Sequence, residues 1–132
     1  MTPTECIQSK FEFPGVGSRS VIARFEGGQI TSDGGGLLLR EVDRRIGLLN
    51  RLAGCFRDGR DAGRVQHSVR EMLAQRVYGL ALGYEDLNDH EQLRTDPMIS
   101  VLADKTEDRP LAGKSTVNRL ELGGEAGDVD AY

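Results

Sequence analysis

An apolar pattern with helical spacing in the middle of the chain constrains the fold more than any other feature of the sequence. Between residues 65 and 82, apolar side chains recur every three or four residues and share one helix face: Val69, Met72, Leu73, Val77 and Leu80. Arg76 falls on the same face, and a buried arginine needs an acidic partner or a path to water. The carboxylates just downstream are the candidate partners, and Gly83 is expected to end the helix.

A second apolar stripe predicts an earlier helix that runs to about residue 52. Ser32 or Asp33 is expected to cap the free N–H groups at its start, and Gly47 marks a possible break. The stripe consists of Leu39, Val42, Ile46 and Leu49. Upstream, the segments 21–25 and 29–31 flank Gly27-Gly28 and predict a β-hairpin, because glycine tolerates the positive φ that a two-residue turn demands.

Three shorter helices are predicted in the second half of the chain. Asp86 is expected to cap one that Pro97 ends, with Asp89 in the position of a capping-box acid. Residues 98–103 predict a weak helix, and Ser115 is expected to cap a last helix over 116–122. The predicted fold class is mainly α (α+β): a short N-terminal β-hairpin followed by a small bundle of about four to five helices. This helical region spans 20–123, between a flexible N-terminus (1–19) and a frayed tail (124–132).

Length and composition favour one cytoplasmic domain. A chain of 132 residues, 38% of them apolar, can bury one modest core. No apolar run approaches the roughly 18 residues that a membrane span needs, and the start MTPTECIQSKFEF lacks the pattern of a signal peptide. Cys6 and Cys55 match no metal-binding spacing and are interpreted as free thiols. Neither has a convincing histidine partner, so no nucleophile constellation is predicted.

The net charge of −4 hides two halves of opposite sign. Residues 40–76 hold nine arginines against five acidic residues, whereas residues 85–108 hold eight acidic residues against two basic ones. Arginine suits bidentate phosphate contacts, so the basic half is a candidate surface for a nucleic-acid backbone. A solvated charged face and a GC-rich coding sequence are the alternatives. The candidate DNA-binding residues are Arg44, Arg45, Arg57, Arg60, Arg64 and Arg70, with Lys114, Ser115, Thr116, Asn118 and Arg119 on the last helix.

The segment YEDLNDHEQLRTDP (84–97) concentrates five carboxylates and one histidine. On a helix, Asp86, Asp89 and His90 would share one face and could bind a divalent metal. The structural interpretation explains the same residues: Asp86 as a helix cap, Asp89 in the first turn, Glu91 in solvent, and one acid paired with Arg76. The spacing favours the structural interpretation, and no metal ligand is assigned.

Two further motifs resemble phosphate-binding sites. The run AGKST (112–116) matches the end of a phosphate-binding loop, but position 108 is Asp where that loop needs Gly, and no buried strand precedes it. The run Gly34-Gly35-Gly36 could cradle a phosphate at a helix start. Asp33 beside it would repel an anion, which favours a tight turn between hairpin and helix instead.

Three long runs resemble the N-terminal part of a bacterial insertion-sequence transposase of the DDE type (DDE group 1). They are ARFEGGQITSDGGGLLLREVDRRIGL, HSVREMLAQRVYGLALGYEDLNDHEQLRTDP and KSTVNRLE, in this order, within residues 20–123. The resemblance implies that the full-length family members carry an RNase H-like domain in which three carboxylates hold two Mg²⁺ ions. It also implies that those carboxylates lie beyond this chain, which would then hold no cofactor and be inactive alone.

Two functions follow from this resemblance as expectations. The first is a truncated transposase region that contacts the terminal inverted repeats of the transposon DNA and packs against the missing catalytic domain. The second is a protein-interaction module that pairs with full-length transposase, or with itself, and inhibits transposition. A metal-dependent hydrolase built on residues 84–97 is a third and weaker hypothesis.

Overall fold

The computed structural model describes residues 10–28 and 30–126, which form a β-hairpin followed by six α-helices. The predicted fold class is confirmed. The strands are β1 (Phe11–Val16) and β2 (Arg19–Ala23), and the helices are α1 (Gly36–Ile46), α2 (Leu48–Ala53), α3 (Val69–Ala81), α4 (His90–Leu93), α5 (Pro97–Leu102) and α6 (Lys114–Ala126). A 3-10 turn (Leu87–Asp89) precedes α4. No described helix is both long and apolar enough to cross a bilayer.

The hairpin lies earlier in the chain than predicted. β1 and β2 pair antiparallel, with Phe13 opposite Val21, and they turn at Gly17, whose φ is +58°. β1 therefore occupies part of the segment expected to be flexible, while residues 1–9 lie outside the described part of the chain. Gly27 and Gly28 do adopt positive φ, but they form a bend after β2 rather than a turn between strands. The strand pairing passes Pro14 and Gly15 through an irregularity between Phe13 and Val16.

Gly47 divides the first predicted helix into α1 and α2, which explains why six α-helices replace the expected four to five. Its φ is +65°, a left-handed conformation that glycine adopts without strain. The side chain of Asp43 stabilises the new start, because its carboxylate accepts a hydrogen bond from the Leu49 N–H at 2.8 Å. The predicted break is confirmed.

α3 is the central helix and contacts α1, α2, α5 and α6. It starts at Val69 rather than near residue 65, because Ser68 is its N-cap and the Ser68 hydroxyl accepts from the Glu71 N–H at 3.1 Å. Gly83, with φ of +97°, lies just beyond its end as predicted. Leu80 was predicted to lie on the apolar face of this helix, but its side chain is exposed.

Two clusters of buried side chains form the core, and α3 contributes to both. The first joins α1, α2, α3, α4 and α5: Leu37, Leu49, Ala74, Tyr78, Leu93, Ile99, Leu102, Ala103 and Leu111. The second joins α3 to α6: Val69, Met72, Leu73, Ala112, Val117 and Leu120. Gly36 permits the close approach of α1 to α5, since a Cβ there would lie 2.6 Å from the Leu102 side chain.

The apolar stripe correctly predicted a helix, and along α1 this stripe faces outward. Leu39, Val42 and Ile46 are all exposed, and only Leu49, on α2, is buried. The buried face of α1 consists of Gly36, Leu37 and Arg40. The side chain of Arg40 is 2% exposed, so α1 packs on the core through a face that contains a charged residue.

Candidate nucleic-acid interface

The acidic segment 84–97 caps helices with three of its carboxylates. Asp86 is the N-cap of the 3-10 turn and accepts from the Asn88 N–H at 2.9 Å. Asp96 caps α5 by accepting from the Met98 N–H at 2.7 Å. Glu91, expected in solvent, accepts from the Lys114 N–H at 2.9 Å and so caps α6. The three carboxylates lie at the starts of three different helices, so they do not converge on one point.

Other capping predictions for this site need correction. Asp89 makes no capping hydrogen bond with its side chain, so the predicted capping box is absent. Ser115 is the second residue of α6 rather than its cap, because Glu91 supplies the capping oxygen. α1 is preceded by Gly35 without a side-chain cap. Ser32 and Asp33 therefore do not cap it, and the Asp33 carboxylate accepts from the Tyr84 hydroxyl at 2.9 Å instead.

Arg76 finds its partners on another helix and on the backbone. Its guanidinium pairs with the carboxylate of Glu121 on α6 and donates to the Glu85 carbonyl at 3.0 Å. None of the carboxylates of 84–97 pairs with it, so the predicted partner was wrong. The Arg76–Glu121 pair instead ties α3 to α6 beside the second core cluster.

His90 points into the core between α3 and α4 and is fully buried. Its Nδ1 accepts a hydrogen bond from the Gln75 amide at 3.0 Å, and the same amide nitrogen donates to the Ala112 carbonyl at 2.8 Å. Burial, with the charge of Arg76 second, lowers the pKa of His90, while Asp89 and Glu121 act in the opposite direction. The ring is therefore held neutral, as a core residue that packs α4 on α3.

No group of three His, Cys, Asp or Glu side chains in the described part of the chain could hold a metal ion. Three of the five carboxylates of 84–97 accept from backbone N–H groups, and His90 is buried in the core. The described residues therefore do not fit the pair of Mg²⁺ ions that the transposase resemblance implies for a catalytic domain.

Two of the candidate DNA-binding arginines are held inside the fold. Arg60, with only 13% of its side chain exposed, pairs with Asp58 at 2.7 Å and donates to the His67 carbonyl at 2.9 Å. The hydrogen bond from Arg60 to the Asp58 carboxylate lowers the pKa of that carboxyl. Arg70 donates to Asn50 at 3.1 Å and pairs with Asp104 at 3.4 Å. Both guanidinium groups therefore stabilise loops and helix contacts.

The other candidate arginines extend into solvent. Arg64 is 88% exposed with a long 3.7 Å contact to Asp61, and Arg45 is 77% exposed with a 3.3 Å contact to Glu41. Arg44 and Arg57 are exposed, and neither makes a hydrogen bond or ion pair with any described residue. We call Arg44, Arg45, Arg57 and Arg64 the open arginine set.

α6 presents a second polar surface. Lys114, Ser115 and Arg119 are exposed, Thr116 and Asn118 are half-buried, and Val117 is buried. Lys114 Nζ donates to the Asn88 side chain at 3.0 Å, while Arg119 makes only weak contacts within its own helix. Phe56, which precedes Arg57, packs on the cluster to which α6 contributes Val117. The loop after α2 and helix α6 are therefore held to the same part of the core.

A cleft near the end of α1 was not predicted. It has a volume of about 490 Å³ and is lined by Asp43, Arg44, Gly47, Asn50, Ser68, Arg70, Glu71, Ala103 and Asp104. It brings together Arg44 and Arg70, which are 26 positions apart, with three carboxylates. No local spacing in the sequence marks this juxtaposition, because it depends on how α1, α3 and α5 pack.

The class of protein that the sequence resembles is a transposase of the DDE type. The chain belongs to the transposase DDE domain group 1 family, because a family model of that description matches residues 13–131. The match covers nearly the whole of the 132 residues, and the resemblance is thereby confirmed. No curated protein and no solved structure matches the chain.

Proposed function

We propose that this region of a DDE transposase contacts the backbone of transposon-end DNA and packs against the catalytic domain, without supplying catalytic carboxylates. The open arginine set carries the proposal. Arg44 and Arg57 have no partner among the described residues, and the pairs of Arg45 and Arg64 are exposed. Exposed pairs are weak and screened by salt, so DNA phosphates could displace them at little cost.

The separation of charge supports the same proposal. Eight acidic residues fall within 85–108. Three of them, Asp86, Glu91 and Asp96, accept hydrogen bonds from backbone N–H groups at helix starts. The open arginine set keeps exposed guanidinium groups, which suit bidentate phosphate contacts. Terminal inverted repeats are the expected DNA partner, and the bacterial cytoplasm is the expected compartment.

The arrangement of the described carboxylates supports the proposal that this region supplies no catalytic carboxylates. The described residues contain one sheet of two strands, and no three of their acidic side chains could share a metal ion. We therefore expect the Mg²⁺-binding carboxylates of the family to come from residues outside the described part of the chain. Strand transfer would then depend on those residues, while this region holds the DNA.

Salt dependence of DNA binding tests the proposal. Each phosphate contact contributes about −0.9 to the slope of log K against log salt. The four residues of the open arginine set together should give a slope of about −3.6, which is roughly a 150-fold loss of affinity between 50 and 200 mM salt. The measurement is fluorescence anisotropy with an inverted-repeat duplex and a scrambled duplex.

Substitutions sharpen this test. The triple variant Arg44→Ala, Arg57→Ala and Arg64→Ala should remove most of the slope. Arg24→Ala is the matched control, because Arg24 is also an exposed arginine, 49% exposed and paired with Glu26, but it lies outside the open arginine set. Binding that is absent at low salt, or equally affected by the Arg24 change, would contradict DNA contact through this surface.

A second candidate function is a protein-interaction module that inhibits transposition by pairing with full-length transposase. The outward apolar face of α1 favours it, since exposed apolar patches mark interaction surfaces. Capture of purified full-length transposase by the immobilised chain tests this function. Loss of capture in a Val42→Asp variant would support α1 as the contact, and equal capture by the variant would oppose it.

A further inference from the structure

Exposed apolar side chains are concentrated in one part of the described chain. Eleven large hydrophobic residues are exposed, and eight of them fall within residues 22–48. These eight are Ile22, Phe25, Ile30, Leu38, Leu39, Val42, Ile46 and Leu48. Isolated exposed apolar residues are ordinary, whereas a contiguous group indicates an interaction surface.

Four of these residues form one continuous face of α1. At 100° per residue, Leu38, Leu39, Val42 and Ile46 fall within about a quarter-turn of one another, and each is 42–64% exposed. The opposite face is fixed in the core, because Arg40 donates to Asp104 at 3.0 Å and to the Pro14 carbonyl at 2.6 Å. α1 therefore cannot rotate to bury its apolar face without breaking these bonds.

The charges beside the apolar face select the partner. The face itself contains no charged residue, and Glu41 and Arg45 follow one another along one flank, 3.3 Å apart. In an antiparallel pair of identical helices, equivalent flanks face each other. With the twofold axis near residue 43, Glu41 of one copy lies opposite Arg45 of the second copy, and the reverse pair forms by symmetry.

The apolar residues fit the same arrangement. Under this symmetry, the heights of Leu38, Val42 and Ile46 along one helix alternate with those of the second helix, so the side chains interdigitate. The antiparallel orientation also sets the two helix dipoles in opposition, whereas a parallel pair would bring Arg44 and Arg45 of both copies together.

We propose that α1 is a self-association surface, through which two copies of this chain pair antiparallel about residue 43. The inference deepens the second candidate function, because it names the partner as another α1, either of this chain or of a full-length family member. It does not depend on DNA contact. The protein-only measurement below can fail while DNA binding holds, and DNA binding can fail while this measurement succeeds.

Sedimentation equilibrium of the full chain tests the proposal over a range of about a hundredfold in protein concentration. The parent should shift from monomer to dimer, and Val42→Asp should weaken association by at least about a hundredfold, since each dimer would bury two carboxylates. Leu80→Asp is the matched control, because Leu80 is 48% exposed on α3 and Val42 is 52% exposed on α1. The control should associate like the parent, and circular dichroism should show that both variants are folded.

A charge-swap pair separates contacts between copies from the contact within one helix. Glu41→Arg and Arg45→Glu should each reduce self-association, since each variant places like charges opposite one another. Mixing the two variants should restore association as a heterodimer. Neither variant alone regains the ion pair within its own helix, so recovery on mixing reports the contact between copies.

Three outcomes would overturn the proposal. One is a parent that stays monomeric throughout the concentration range. If the parent is monomeric and Val42→Asp also lowers its thermal stability, the apolar face of α1 is covered by other residues of the same chain. Another is association that Leu80→Asp disrupts and Val42→Asp does not. The third is a failure of the mixed charge-swap variants to form a heterodimer. A monomer that binds only full-length transposase would assign the face to the catalytic domain.

Discussion

The ion pair between Arg40 and Asp104 should be the largest single polar contribution to stability. Arg40 is 2% exposed and donates twice to Asp104 Oδ1, at 3.0 and 2.5 Å. It also donates to the carbonyls of Pro14 and Gly15, so one guanidinium joins α1, the hairpin and the end of α5. Removing the acid would leave a buried cation with only two carbonyl partners, and breaking a buried pair typically costs about 3–5 kcal/mol.

Three substitutions at Asp104 separate charge from backbone strain. Asp104 has φ of +56°, a conformation that glycine adopts freely and that alanine adopts at a cost of roughly 1–2 kcal/mol. Asp104→Gly should lose about 3 kcal/mol, at the low end because the two carbonyls still accept from Arg40. Asp104→Ala should lose roughly 1 kcal/mol more. Asp104→Asn should lose less than either, since Asn retains an acceptor and tolerates this φ.

Urea unfolding followed by circular dichroism measures these changes as shifts of the midpoint at constant slope. Glu107→Ala is the control, because Glu107 is 56% exposed in a surface pair with Arg109, and such pairs contribute about 0–1 kcal/mol. A loss below about 1 kcal/mol in Asp104→Ala would refute the reasoning. Equal losses in the Gly and Ala variants would refute the backbone component alone.

Three further predictions concern helix caps and pH. Glu91→Ala should cost about 1 kcal/mol by uncapping the Lys114 N–H, and a melting temperature equal to the parent's would contradict this role. Ser68→Ala should cost about 1 kcal/mol and Ser115→Ala almost nothing, since only the first hydroxyl caps a helix; equal losses would contradict the difference. The pKa of His90 is lowered below 6.5 in the folded state, so the contribution of the neutral ring to the free energy of unfolding is complete above about pH 6.5. This contribution is lost as the pH falls below about 6.5 and through the folded-state pKa, by up to about 1.4 kcal/mol per pH unit. His90→Gln should flatten the slope of unfolding free energy against pH, and an unchanged slope would exclude this histidine as its source.

Local backbone signals in the sequence located helix boundaries correctly. Gly47 and Gly83 both adopt the left-handed conformation that ends a helix. Pro97, by contrast, was predicted to end the third helix, but α4 ends at Leu93 and Pro97 starts α5 directly after its cap. The start of α3 was misplaced although its signal was present, because Ser68 and Glu71 have the spacing of a capping box. Signals of this kind act within four residues, so they can be read without knowledge of the fold.

Contacts between distant residues could not be predicted in this way. Glu91 caps a helix that begins 23 residues later, and Arg76 pairs with Glu121 across 45 residues. Arg60 and Arg64 looked equivalent in the sequence, yet one is held by Asp58 and the other is open. Arg70 is held by Asn50 and Asp104, which are 20 and 34 positions away, so the local charge does not show which arginines stay open.

The position of the hairpin and the outward stripe of α1 have one physical origin. The irregularity between Phe13 and Val16 carries the strand past Pro14 and Gly15, and it leaves their two carbonyls to accept from Arg40. An apolar period identifies the apolar face of a helix but not the face that the chain buries. Here the carbonyls of the irregularity, together with Asp104, hold Arg40 and the charged side of α1 against the core, and the apolar side of α1 stays exposed.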